Sequence, residues 1–176
     1  MTGTEVALAL LGGALAGTGT SLLTHVFTSS KERRDRHREH FSKALQAAGD
    51  YEEFPYVVRR RGANDPEAER LRISGELREV QSQLTYHAAW LLTESKDVGE
   101  AFAGLVKELR GLAGGQIHAA WDTPPISQDE QMNISDIGPH LAGLRPLKDR
   151  FIEEVSDHLS LWPRWLRRFI RKRRSK

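Results

Sequence analysis

The chain holds 176 residues, with 26 Lys and Arg against 24 Asp and Glu, a formal net charge of +2, and 39% hydrophobic residues. That length and apolar content suit one domain of ordinary size, and the absence of cysteine excludes a disulfide framework, a cysteine nucleophile and every thiolate metal site. Charge is unevenly placed: residues 1–30 contain only Glu5, residues 41–158 carry 20 acids against 13 bases, and residues 159–176 hold eight bases and no acid.

Val6 to Phe27 contains no Asp, Glu, Lys or Arg. As a helix, these 22 residues reach about 33 Å, enough for a hydrocarbon core of roughly 30 Å. Residues 1–30 are therefore read as a transmembrane anchor. No basic residue precedes the apolar stretch, which argues against a cleaved signal peptide. The cations Lys31, Arg33 and Arg34 follow it. By the positive-inside rule this predicts a single-pass protein of the inner or plasma membrane, N-terminus outside and body cytoplasmic. Gly13 and Gly17 stand four apart and would let two such helices approach as a homo-oligomer, although Gly/Ala-rich stretches produce this spacing by composition alone.

The next predicted element is a helix from Lys31 to Ala48, with Phe41, Ala44, Leu45 and Ala48 at helical spacing and Gly49 as its C-cap. Asp50 to Val58 reads as a connection with a short extended or helical piece leading into Arg59-Arg60-Arg61. Tyr51, Phe54 and Tyr56 beside those arginines resemble a base-stacking surface, but aromatic packing with a solvated basic turn is the preferred reading. Asp65-Pro66-Glu67 is the strongest helix start, with Asp65 as N-cap and Pro66 in the first turn. That helix should reach Glu94 and bury Leu71, Leu77, Val80, Leu84, Ala88, Leu91 and Leu92.

Asp97 is expected to cap a further helix ending at Leu112, before the loosening effect of Gly114 and Gly115. Gln116 to Trp121 reads as a short helical turn and Ser127 to Ser135 as an exposed loop. A last helix from Ser135 or Asp136 to His158 is interrupted or divided by Pro139 and Pro146 and uses Ile137, Leu141, Leu144, Phe151, Ile152 and Val155 on its apolar side. No period-2 run suggests a sheet.

The tail places Trp162, Trp165, Leu166, Phe169 and Ile170 within a helical arc of about 140°, with Arg164, Arg167, Arg168 and Arg171 opposite and Lys172, Arg173 and Arg174 extending the charge. This pattern suits the interface of an anionic lipid bilayer. The histidines His37 and His40 share a helix side but lack a third ligand, and both are read as solvated. No nucleotide-binding loop, nucleophile elbow or catalytic dyad occurs, so no enzyme activity and no cofactor are expected.

The fold class read from the sequence is all-α: an N-terminal transmembrane helix, a small antiparallel helical bundle over residues 31–158, and a basic amphipathic C-terminal helix over residues 159–176. The corresponding function is a membrane-tethered scaffold, sensor or regulator, with lipid and an unidentified protein as partners. A membrane-active or pore-forming oligomer and a soluble nucleic-acid binder are the alternatives.

Overall fold

The computed structural model describes residues 35–160. The chain divides into two units between Glu39 and His40. Of the first unit the described residues are 35–39, which are helical, with Arg38 Nη1 donating to Asp35 Oδ1 at 3.3 Å. Residues from His40 onward belong to the second unit, and those described are all-α.

The first helix, α1, covers residues 35–59. From His40 onward it buries Phe41, Ala44, Ala48, Tyr51, Pro55 and Val58, a 3-4 alternation that keeps one face on the core. Gly49 does not cap it. No described glycine has a positive φ, so the chain never takes the left-handed turn that ends helices at glycine. Pro55 leaves the Tyr51 carbonyl without its usual i+4 donor, yet the ring is buried and the helix continues.

Helix α2 spans Pro66–Glu94, and the Asp65 side chain accepts from the Ala68 N–H at 3.0 Å as expected of its N-cap. Its inner row is Ile73, Leu84, His87 and Leu91. Leu71 and Leu92, expected in the core, are 70% and 48% exposed. At about 100° per residue Leu71 lies on the opposite side of the helix from Leu84 and Leu91, and Leu92 stands roughly a quarter turn away from them.

Helix α3 spans Lys96–Asp122, beginning immediately after Ser95 and passing through Gly111, Gly114 and Gly115. The expected stop at Leu112 is thus replaced by a helix that stays on the core through Ala113, Ile117 and Ala120. α3 also buries Val98, Ala101, Phe102, Leu105, Val106 and Leu109, the largest inward surface of any described element. The corner with α2 is tight: Ser95 N–H donates to Leu91 O at 2.9 Å, and Gly99 N–H donates to Ser95 O at 2.8 Å. A Cβ at Gly99 would stand 2.6 Å from Leu92 Cα, so only glycine fits that crossing.

After a 3-10 turn at Asp129–Met132, the chain enters a short helix α4, Gly138–Leu141, a second 3-10 turn, Ala142–Leu144, and helix α5, Arg145–Leu159. Pro139 and Pro146 each occupy a first turn and divide the segment as the sequence implied. Ile137, Leu141, Leu144 and Phe151 are buried, whereas Ile152 is exposed.

The membrane-anchored architecture is corrected by this arrangement. Among the described residues no helix is long and apolar enough to cross a membrane. α2 and α3 exceed the ~20 residues a span requires, but Lys107, Glu108 and Arg110 interrupt the middle of α3 and Arg72, Glu76, Arg78 and Glu79 that of α2. The stretch 6–27, with Gly13 and Gly17, lies outside the described residues, as does the tail from residue 161. Among the described residues, the single-pass topology, the outside N-terminus, the cytoplasmic body and the inner- or plasma-membrane location therefore have no membrane-crossing helix to rest on. What stands, among the same residues, is an all-α fold of four principal helices, α1, α2, α3 and α5.

Candidate functional site: a charged cleft beside Tyr56

Where α1 passes α4 and the start of α5, a cleft of about 320 Å³ opens, lined by Glu52, Glu53, Tyr56, Gly138, Leu141, Ala142, Arg145 and Lys148. Its two sides have opposite charge. α1 contributes both carboxylates and the phenol, because Glu52 and Tyr56 are one helical turn apart with Glu53 between them. α5 contributes the cations, with Arg145 and Lys148 three residues apart.

Lys148 Nζ donates to Glu52 Oε2, closing a half-buried ion pair between α1 and α5. Glu53 and Arg145 are both exposed, and their side chains take part in no hydrogen bond or ion pair among the described residues. Burial is the first cause that raises the Tyr56 hydroxyl above its ordinary value, and the carboxylates of Glu53 and Glu52 raise it further. The phenol is therefore protonated at neutral pH and offers one donor and one acceptor to the cleft. Gly138 faces it, and a Cβ there would stand 3.5 Å from the Tyr56 oxygen, an ordinary contact. A volume of 320 Å³ equals the share of about ten liquid waters, room for a small ligand only.

The arginine run expected to be a solvated turn is instead tied to the protein. Arg61 Nη1 donates to the carbonyls of Val58 at 2.8 Å and Ala120 at 2.9 Å. Its Nη2 donates to the carbonyls of Trp121 and Thr123. Its guanidinium lies 5.0 Å from the Trp121 ring centroid. The chain thus satisfies carbonyls left open at the C-terminal ends of α1 and α3 with one cation. Arg59 pairs with Asp136 at 3.3 Å, and Arg60 donates to Met132 O at 3.5 Å while standing 5.6 Å from the Tyr56 ring centroid. Tyr51 and Phe54 are core residues. The alternative base-stacking surface is not assembled here: two of its aromatics, Tyr51 and Phe54, face the core, Tyr56 lines the cleft, and the three arginines serve partners within the protein.

The functional readings that depended on the membrane are corrected with it. A membrane-tethered scaffold, sensor or regulator, a pore-forming oligomer and a nucleic-acid binder all lack support among the described residues, and so do the bilayer and transmembrane homo-oligomer partners. Trp162, Arg164, Trp165, Leu166, Arg167, Arg168, Phe169, Ile170, Arg171, Lys172, Arg173 and Arg174 lie outside the described residues. His40 is not a solvated histidine: it stacks on Trp90 with ring centroids 4.3 Å apart.

Sequence reasoning noticed Glu52-Glu53 as adjacent acids but missed their opposing cations. Lys148 is 96 positions from Glu52, so no local pattern announces the pair. The spacing of Glu52 and Tyr56 on one helix, and of Arg145 and Lys148 on another, was the available signal. Comparison with family models, curated proteins and solved structures finds no match for this chain.

Proposed function

We propose that this helical domain is a non-catalytic binding module whose cleft between α1 and α4–α5 takes a small zwitterionic molecule. The observation that carries this reading is the opposition of the uncommitted Glu53 and Arg145 across a cleft whose other two charges, Glu52 and Lys148, satisfy each other. A ligand cation faces Glu53, a ligand anion faces Arg145, and the Tyr56 hydroxyl supplies a hydrogen bond between them. Leu141 and Ala142 provide the short apolar floor, in keeping with binding sites that combine apolar lining and a few convergent polar groups. The cleft holds no nucleophile paired with a base, which supports binding over catalysis.

Calorimetric titration of the full chain with a small α-amino acid, its amine-only analogue and its acid-only analogue tests the reading. Each solvent-facing charge contact contributes up to about 1 kcal/mol, so the zwitterion should bind roughly fivefold tighter than either analogue. Arg145→Glu should abolish that preference. Equal affinity for the three probes, or no heat with any of them, contradicts it.

A further inference from the structure

Farther toward the N-terminal end of α1, about 18 Å along the helix from Glu52, aromatic and histidine side chains from three helices meet around Trp90. His40 of α1 stacks flat on the indole, with an interplanar angle of 20°. Phe41 approaches the indole edge-on at 6.0 Å and meets the His158 ring of α5 at 5.8 Å. His158 Nε2 lies 3.3 Å from Glu94 Oε1. His87 precedes Trp90 by nearly one turn of α2, is 6% exposed, and occupies the core row with Leu84 and Leu91.

Two nitrogens in this group are anomalous. The Nδ1 atoms of His40 and His87 are both buried and have no hydrogen-bond partner. Most buried polar atoms are paired, and an orphan costs about 1–3 kcal/mol. A neutral imidazole limits that cost, because an unprotonated Nδ1 is only an unused acceptor. Protonation is different in kind. At His87, 6% exposed, it makes Nδ1 a buried donor with nothing to receive it and adds a charge that water barely reaches.

The surroundings oppose that charge. His87 is faced by His40 and Lys43 from α1, and on its own helix by the Tyr86 ring, 5.2 Å away edge-on. Glu94, about two turns farther along α2, pairs with His158 of α5. Burial first, then His40, then Lys43 hold the His87 imidazole below its ordinary value of 6.5.

We propose that His87, packed beside His40, forms an acid-sensitive seam between α1 and α2, closed while the His87 imidazole is neutral and opened when acidification protonates it. The sign follows from linkage. His87 takes up a proton less readily folded than unfolded, so its contribution to stability is complete above 6.5 and is lost as pH falls from there toward the lower folded value. Opening exposes Trp90 and the Phe41 edge that now rests on it. The seam is therefore a local pH-dependent release of α1 from α2, at the end of the bundle away from the ligand cleft.

Hydrogen exchange of the full chain, read by mass spectrometry at about pH 7.5 and about pH 5 and corrected for intrinsic exchange, measures this directly. Protection at residues 40–48 and 84–91 should fall by up to about tenfold per pH unit below the ordinary imidazole value, the limit for uptake of one proton. Residues 113–120 of α3 should keep theirs. His87→Gln, which cannot titrate, should leave the first two segments equally protected at both pH values. Should that variant not fold, His40→Gln, which removes one of the causes holding the His87 imidazole down, should make the loss of protection between the two pH values smaller. Wild-type protection that does not change with pH overturns the proposal, as does an unchanged loss in His87→Gln or in His40→Gln.

Discussion

Gly99 and Gly115 sit in the same helix and have opposite reasons to be glycine. A methyl group at Gly99 collides with the Leu92 backbone at 2.6 Å, and backbone at a tight corner cannot swing aside. Gly99→Ala should destabilise the bundle by about 1–3 kcal/mol, seen as a lower denaturation midpoint with unchanged slope. At Gly115 nothing lies within 4 Å of the added carbon. Gly115→Ala should therefore raise stability by about 0.5–1 kcal/mol through helix propensity alone. Arg61 is the third residue whose chemistry is specific. Its planar fork reaches four carbonyls on two helices, which a lysine ammonium cannot match. Arg61→Lys should cost about 2–3 kcal/mol, and thermal melting should detect it as readily as it would Arg61→Ala.

Elements show where the sequence was readable. The start of α2 was legible because its signal is local: Asp65 caps, Pro66 fits the first turn, and both act within three residues. Asp65→Ala should remove that cap at a cost of about 1 kcal/mol, measurable by denaturant unfolding. The ends of α1 and α3 were not legible. Gly49 and Pro55 look like stops in α1, and Gly111, Gly114 and Gly115 look like a stop in α3. Propensity losses of about 1 kcal/mol at a glycine and about 3 at a proline are smaller than the burial gained by continuing. For α1 that gain comes from Tyr51, Phe54 and Val58, and for α3 from Ala113, Ile117 and Ala120. The apolar alternation did run through both apparent stops, and its continuity was the better guide. α2 erred in the other direction, since Leu71, Tyr86 and Leu92 are apolar yet turned away from the core. A pattern count cannot separate two apolar sides of one helix without knowing which side a neighbour covers.

At the scale of the molecule, the all-α character of the described residues was evident from periodicity, while the site was not. The cleft depends on bringing Glu52, Tyr56, Gly138, Arg145 and Lys148 together, and only the packing of α1 beside α4 and α5 does so. The packing of α1 against α3 turns Arg61 from an apparent surface charge into an internal strut, and its packing against α2 turns His40 from a solvated ring into a stacked one. Charge runs and histidine pairs were read as local features, whereas their partners lie tens of residues away. The sharpest test of the binding reading is a chemical-shift titration of the full, isotopically labelled chain with a small zwitterionic amino acid. Saturable shifts confined to residues 52–56 and 138–148, and lost in Arg145→Glu, are the expected result. Shifts elsewhere in the bundle, or none at ligand concentrations of about 10 mM, beyond the weak millimolar limit of specific recognition, contradict it.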